Sequence, residues 1–174
     1  GSEPVVRRAL TGIFAHDQRV RLEWLPRNLN YAFGSNWGLI RSTGEHIVFV
    51  NNDIEFRGPW LASVLAALDE PGVLAAQPLL LYPDGTVQCA GTVFGGPRVL
   101  PWHFLAGHPV EDAIGAGVRD LPALTAACLA LRAADALRLR GFDPIYTNGF
   151  EDVDLCLRGG TELEGSFRVV HEAQ

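Results

Sequence analysis

The run His46-Ile47-Val48-Phe49-Val50, followed at once by Asn51-Asn52-Asp53, constrains this chain more than any other segment. An unbroken β-branched and aromatic run reads as a strand covered on both faces, as in an α/β sheet. Three polar side chains then end it. In open α/β sheets ligands sit outside the carboxyl ends of the strands, so the residues that stop this strand stand where a ligand is expected.

The rest of the chain alternates in the same style. Pro4 to His16 suits a helix, and Val20 to Leu25 alternates apolar and polar residues like a half-buried strand. Pro59 suits the first position of a helix carrying Trp60, Leu61, Val64, Leu65 and Leu68, stopped by Asp69-Glu70-Pro71-Gly72. Val73 to Leu81 reads as a buried strand, Tyr82 to Thr86 as a turn and Val87 to Phe94 as the returning strand. Residues Gly95 to Pro122 show no steady period and read as a long loop, usually a functional feature in a compact domain. Leu124 to Leu131 predicts a strand and Ala133 to Arg140 a helix closed by Gly141. Glu151 to Arg158 predicts a short helix stopped by Gly159-Gly160, with a last strand from Gly165 to Val170. Strands alternating with helices predict an α/β fold with a mostly parallel sheet.

Composition closes several alternatives. All 14 basic residues are Arg, against 20 acidic ones, for a net charge of −6; such a surface does not suit duplex nucleic acid. No apolar stretch reaches the ~18–20 residues of a membrane span. Cys89, Cys128 and Cys156 are odd in number and widely spaced, which fits reduced core thiols rather than a disulfide scaffold. The chain has no Met and opens Gly1-Ser2, which reads as an expression-tag remnant ahead of a single domain over 1–174.

Three segments could carry chemistry. Asn51-Asn52-Asp53 offers a carboxylate between amide oxygens, suited to a hard cation such as Mg²⁺ or Mn²⁺ whose shell substrate phosphates complete. A strand-ending Asx turn accounts for the same residues without a metal. Gly149-Phe150-Glu151-Asp152-Val153-Asp154 places three carboxylates at a helix N-terminus, which favours each by ~0.3–1 kcal/mol. Either N-capping or a general base explains them. Asn28 to Gly38 is rich in Asn and Gly, residues tolerant of left-handed backbone, and reads as a shaped loop entering a helix.

The order of these segments, with their wording, resembles the family 2 glycosyltransferases, inverting sugar transferases of GT-A fold, and is closest to a bacterial rhamnosyltransferase-like branch. The matching blocks are Asn28 to Gly38, Phe49 to Asp53, Tyr82 to Gly91, Leu124 to Arg132, Gly141 to Tyr146 and Phe150 to Arg158. The resemblance implies a Rossmann-like three-layer sandwich binding a nucleotide-diphosphate sugar, and transfer of the sugar to a saccharide hydroxyl in polysaccharide or cell-surface glycan synthesis. It implies a metal at Asp53, with Asn51 at the family's first acidic position. It implies Asp152, in the Glu151-Asp152 pair, as the base. Donor and acceptor contacts would come from Asn28, Asn36, Gly38, Asn52, Thr125 and Cys128, with Trp102 on an acceptor-side loop.

Some features depart from the family. Asn30 stands at a usual Gly, and Asn51 at a usual carboxylate. The family's apolar first strand and its nucleotide-binding continuation have no counterpart before Pro4, so the sheet is expected to lack its usual first strand. That edge would then be open to a second copy or to the rest of a larger polypeptide. His171 falls a few residues before the His that often completes the family's metal site, and aligns with an aromatic position. A domain short at both ends is also compatible with a non-catalytic module that does not hold the donor tightly alone. A nucleotidyltransferase would want a Gly-rich, basic phosphate loop near its start, and none is present. The resemblance places the parent enzyme in the cytoplasm, at the inner face of the membrane.

Overall fold

The structure is a computed structural model that describes residues 3–117, 119–147 and 149–173. The expected tag remnant, Gly1-Ser2, lies outside them. Helix α1 (Pro4–Ile13) buries none of its residues, and α2 (Tyr31–Leu39) is capped by Asn30, whose side chain accepts from the Phe33 N–H at 2.9 Å. Asn30 has φ +83°, a conformation Asn tolerates better than most residues, which is why it serves where Gly is usual.

Between these helices the strand expected at Val20–Leu25 is absent. Its alternation is spent on side-chain contacts. Glu23 pairs with Arg21 (3.1 Å) and Arg41 (3.5 Å) and accepts from the Trp37 indole, while Trp24 lies under the Arg7 guanidinium.

Strand β1 (His46–Val50) is followed by α3 (Leu61–Leu68), β2 (Val73–Pro78), β3 (Leu80–Leu81) and β4 (Val87–Cys89). Pro59 stands one residue before the α3 cap, Trp60, rather than inside the helix. The expected hairpin around Tyr82–Thr86 forms, with Tyr82 N–H donating to Thr86 C=O at 2.8 Å and Gly85 at φ +89°. Its returning arm is broken by Gly91, after which β5 (Thr92–Gly95) pairs with β6 (Leu100–His103). The expected long loop over Gly95–Pro122 therefore contains β6 and α4 (Val110–Ala116). Strand β7 (Cys128–Arg132), α5 (Ala133–Arg138), α6 (Glu151–Glu162) and β8 (Ser166–Val170) complete the chain.

Gly159-Gly160 do not stop α6. The helix runs through them because Gly159 is where it touches the sheet: a Cβ there would stand 2.4 Å from Leu74 Cδ2.

The main sheet has the order β1-β7-β2-β8. Strand β7 is antiparallel to both neighbours, and only β2 and β8 pair in parallel. The expectation of a mostly parallel sheet is corrected at the level of pairing. Strands β1, β2 and β8 do share one direction, but β7 is inserted between the first two and runs against them. One edge of the sheet thus gathers the carboxyl ends of β1, β2 and β8 together with the amino end of β7, as the Val50–Cys128 and Pro78–Val170 registers show.

Among the described residues β1 has a strand on one side only, and Val50 is exposed rather than covered on both faces. Helices cover the two faces of the sheet. Val64 and Leu68 of α3 pack with Val73, Ala76, Ala130 and Val170. On the other face Leu39, Phe49, Leu129, Leu131 and Leu155 surround Phe142, whose ring meets Tyr31 and Phe49 edge-on at 5.5 and 4.7 Å. Each such pair adds about 0.5–1.5 kcal/mol beyond the area it buries.

Candidate active site

The mixed edge of the sheet carries the candidate chemistry, and the segment Thr125–Cys128, which leads into β7, is its hub. Asn51 N–H donates to Ala127 C=O at 2.8 Å, tying the end of β1 to this segment. From the other side Asp152 Oδ2 accepts from the Ala126 N–H at 3.0 Å. Tyr31 O–H donates to Ala126 C=O at 2.8 Å. From beneath, Gln77 Oε1 accepts from the Thr125 N–H at 2.9 Å. The strand-end amides and the helix-end carboxylate are therefore held on either side of four residues.

The side chains of Asn51, Asn52 and Asp53 make no hydrogen bond or ion pair among the described residues. An Asx turn needs such a side-chain bond to backbone two residues on, so the turn reading lacks its defining contact. The free Asp53 carboxylate and Asn51 amide oxygen are hard donors of the kind Mg²⁺ or Mn²⁺ takes. Among the described residues no cluster of three or more His, Cys, Asp or Glu side chains could hold a metal by itself. A cation here fits only with ligand oxygens, such as phosphates, filling most of its shell.

The three carboxylates of the second segment have separate fates. Asp154 pairs with Arg158 at 2.8 Å, one turn along α6, and belongs to the helix. Arg158 also donates to the Leu139 and Gly141 carbonyls, fastening α6 to the end of α5. Glu151 is buried, and its Oε2 has no hydrogen-bond partner. Asp152 is half-buried and accepts from the Val153 N–H at 2.8 Å as well as from Ala126. Those two bonds fix the orientation of its carboxylate. Phe150, at φ +73°, supplies no side-chain cap, so the helix end is capped neither by it nor by a Ser or Thr. Burial above all pushes the Tyr31 hydroxyl up to about 12, with the nearby Asp152 and Glu151 charges acting the same way. Tyr31 is thus a fixed donor to Ala126 rather than a proton carrier.

A cavity of about 260 Å³ opens beside Asn51 and Asp53. The residues after the strand (Asp53, Glu55, Phe56, Arg57) form one wall; the hairpin (Tyr82, Gln88) and Ala127 form the other. The Phe56 ring stacks on Trp60 at 4.2 Å, nearly coplanar at 6°.

Other candidates lie elsewhere or are already engaged. Asn28 Oδ1 accepts from Asn30 N–H, and the Asn36 amide is consumed by the Phe142 backbone, donating to its C=O at 2.7 Å and accepting from its N–H at 2.9 Å. Gly38 lies with Tyr31 and Ser35 along a shallow groove at the outer edge of β1, apart from the Asp53 cavity. Trp102 is 60% exposed on β6 and does not line that cavity. Thr125 belongs to the hub through its backbone, and its Oγ1 accepts from Ala127 N–H at 3.4 Å. Cys128 is buried, with its thiol pushed up to about 11 by desolvation. His171 lines a separate cleft with Arg119 and Leu121, and burial lowers its pKa.

Sequence reasoning passed over Gln77, a fully buried amide whose Nε2 donates to Pro78 and Cys89 carbonyls at 3.4 Å. The signal was present: one amide inside the apolar run Val73–Leu81. Glu55, Phe56, Arg57 and Gln88 were also passed over, because nothing in their spacing marks a shared cavity. Among the described residues no helix is long and apolar enough to cross a membrane.

Comparison with known proteins places these features in a family. The chain is 35% identical over 160 residues to the O-antigen biosynthesis protein RfbC of Myxococcus xanthus, covering 89% of this chain and 12% of that protein. It is 34% identical over 151 residues to the uncharacterized protein y4gI of Sinorhizobium fredii (strain NBRC 101917 / NGR234), covering 82% of this chain and 16% of that one. The chain therefore spans less than a fifth of the length of either relative. Among solved structures, GalNAc-T7 with UDP, GalNAc and Mn²⁺ superposes with a TM-score of 0.74 at 15% identity, covering 99% of this chain and 34% of that one. That likeness shows the GT-A fold. The sequence pattern described as Glycosyl transferase family 2 matches residues 1–99, more than half of the chain, and to that family the chain belongs.

Proposed function

We propose that residues 1–174 act as one domain that transfers a sugar from a nucleotide-diphosphate donor to a saccharide hydroxyl with inversion. The observation that carries this reading is the hub: Ala126 and Ala127 hold Asp152 on one side and the Asn51–Asp53 strand end on the other. Asp152 accepts the proton of the acceptor hydroxyl, its carboxylate already aimed by the Ala126 and Val153 N–H groups. The acceptor oxygen then bonds to the anomeric carbon as the bond to the diphosphate breaks on the opposite face, which inverts the centre. Asp53 and Asn51 would hold Mg²⁺ or Mn²⁺ together with diphosphate oxygens, and such an ion supplies charge neutralisation for the leaving group.

The family supports a sugar-transfer reaction, and the neighbouring structure's UDP and Mn²⁺ support the donor class and a divalent ion. The name of the Myxococcus relative supports a role in surface polysaccharide. Such synthesis draws on cytoplasmic nucleotide sugars, and we place the domain there, at the membrane's inner face.

Asp152→Asn keeps the shape but turns one of the two accepting oxygens into an NH₂ donor, so one of the bonds from the Ala126 and Val153 N–H groups is lost. It is expected to lower transfer by about 10²–10⁴-fold while the domain still folds, with a loss of stability of no more than about 1–3 kcal/mol. Activity within a few-fold of wild type would remove Asp152 as the base. Calorimetric titration with nucleoside diphosphates and Mn²⁺ separates this reading from a module that does not hold the donor by itself. Binding that weakens in Asp53→Ala supports the transferase, and no binding supports the module.

A further inference from the structure

The β5-β6 hairpin carries an exposed apolar tip. Val99, Leu100 and Trp102 are 66%, 43% and 60% exposed. Leu100 and Trp102 stand two apart on β6 and so share a side, opposite Gly95 and Val93 of β5. Gly95 has no side chain to shield them. The tip is a closed turn: Val99 N–H donates to Gly96 C=O at 3.1 Å, and Pro97 and Pro101 have no N–H to leave open. Val99 sits at φ +51°, a conformation that a β-branched residue rarely adopts. Folding alone would favour Gly or Asn there, so an apolar side chain is held out at a cost.

Charge on this hairpin runs against that of the chain. The stretch Thr86–Val110 contains no Asp or Glu, although the chain has 20 acidic residues and a net charge of −6. Arg98, in the tip, makes no hydrogen bond or ion pair among the described residues. At the base, the Arg119 guanidinium lies 5.3 Å from the centre of the Phe104 ring. Of the acidic residues that follow the stretch, Asp112 is paired with His108 at 3.0 Å and Asp120 with Arg168 at 3.5 Å.

We propose that the β5-β6 tip is a membrane-contact hairpin: Val99, Leu100 and Trp102 enter the interface of an anionic bilayer, and Arg98 faces its headgroups. Trp suits that level, with an apolar ring and a polar N–H. An open backbone donor is costly there, and this turn has few. Anionic headgroups give Arg98 the partner that the fold does not. A protein partner fits less well, because three side chains at a tip fall short of the ~1,000 Å² that a specific interface takes. The hairpin is separate from the Asp53 cavity, which Trp102 does not line. The inference rests on the proposed inner-face placement for which membrane is meant; the contact itself rests on the hairpin.

Co-sedimentation of the full chain with sucrose-loaded vesicles tests this, using phosphatidylcholine alone and an equal mixture with phosphatidylglycerol. The chain is expected to pellet with the mixed vesicles at millimolar lipid. It should bind phosphatidylcholine alone about fivefold more weakly, the loss of one Arg–headgroup attraction, and Arg98→Gln should bring the mixed vesicles to that lower level. Trp102→Ala should weaken binding to both by about tenfold. Val99→Asn guards against misfolding as the cause: Asn suits φ +51° better than Val, so the thermal midpoint should hold or rise while vesicle binding falls about fivefold. No pelleting with the mixed vesicles, or pelleting unchanged in both Trp102→Ala and Val99→Asn, overturns the contact. If vesicles are not bound and Trp102→Ala instead abolishes a dimer seen by sedimentation velocity, the tip is a protein contact and the bilayer reading falls. Asp152→Asn keeps the failures apart: it should lose transfer and pellet like the wild type.

Discussion

Gln77→Met tests whether the hub is held from below. Methionine matches glutamine in length and flexibility but lacks the amide. In the wild-type protein Gln77 Oε1 accepts from Thr125 N–H at 2.9 Å, a full-strength bond, while Nε2 reaches the Pro78 and Cys89 carbonyls at 3.4 Å, and Cys89 Sγ at 3.8 Å. Gln77 and Cys89 are fully buried and Thr125 is 8% exposed, so water does not replace what is lost. An unsatisfied buried N–H costs about 1–3 kcal/mol, and the long Nε2 bonds together add about 1 kcal/mol. Burying thioether in place of amide returns a fraction of this, leaving a net destabilisation of about 2–3 kcal/mol. At roughly 2–4 °C per kcal/mol for a chain of this size, the midpoint should fall by about 4–12 °C. Urea unfolding followed by circular dichroism measures the free energy. Sugar transfer, measured well below the new midpoint, should fall as well, because Thr125–Cys128 positions Asp152 and Asn51. A loss under about 1 kcal/mol would refute the accounting. A normal transfer rate in a destabilised variant would refute the positioning role.

Two further perturbations separate packing from propensity and place the thiols. Gly160→Ala should stabilise by up to ~1 kcal/mol, as helix propensity predicts, because the added Cβ meets nothing closer than 3.9 Å; Gly159→Ala should destabilise, because its Cβ would lie 2.4 Å from Leu74 Cδ2, and thermal melts of the pair give the two signs. The Cys89, Cys128 and Cys156 thiols are raised by burial from 9.0 to about 11, 11 and 12, so the unfolded chain releases those protons first. Stability is then complete below pH 9 and declines above it, by up to about 1.4 kcal/mol per thiol per pH unit; the chain has no Lys, the raised Tyr31 phenol adds to the decline only above pH 10, and Cys156→Ala should flatten the decline in urea titrations between pH 8 and 10.

What the sequence revealed divides along a physical line. Local signals survived: the β1 run and its polar stop, the Pro-Asp-Gly turn of the hairpin, the Leu-rich period of α3, the acidic start of α6. Each is decided by residues within a few positions of one another. The errors came where a distant partner decides. Val20–Leu25 alternates correctly but finds no strand to pair with, so its charges and rings pack against α1 and α2 instead. Gly159-Gly160 would end a free helix, yet contact with Leu74 makes Gly159 a packing requirement. The site behaves alike. Asn51, Asp53 and Asp152 were legible because each stands at the end of a recognisable element. Gln77 meets Thr125, and Phe56 and Arg57 come to share a cavity with Gln88, only when β2, the hairpin and the strand-end loop converge.

Strand direction was the least legible property, and the site depends on it most. Pairing order is fixed by contacts between segments far apart in sequence, and an all-apolar strand such as Leu129–Leu131 carries no mark of its direction. Suppose β7 ran parallel to β1 in the same slot. Its five residues span about 17 Å at ~3.4 Å each, so its leading segment would emerge at the opposite edge of the sheet. Ala126 and Ala127 would then be a strand length from Asn51, and Asp152 could not be held beside the strand end. Reversing one strand is what brings an amino-terminal segment, with free N–H groups, to an edge otherwise made of carboxyl ends. Those N–H groups go to Asp152 and, through Thr125, to Gln77. The antiparallel insertion that the sequence pattern did not reveal is thus the feature that brings the candidate residues Asn51, Asp53 and Asp152 to one edge of the sheet.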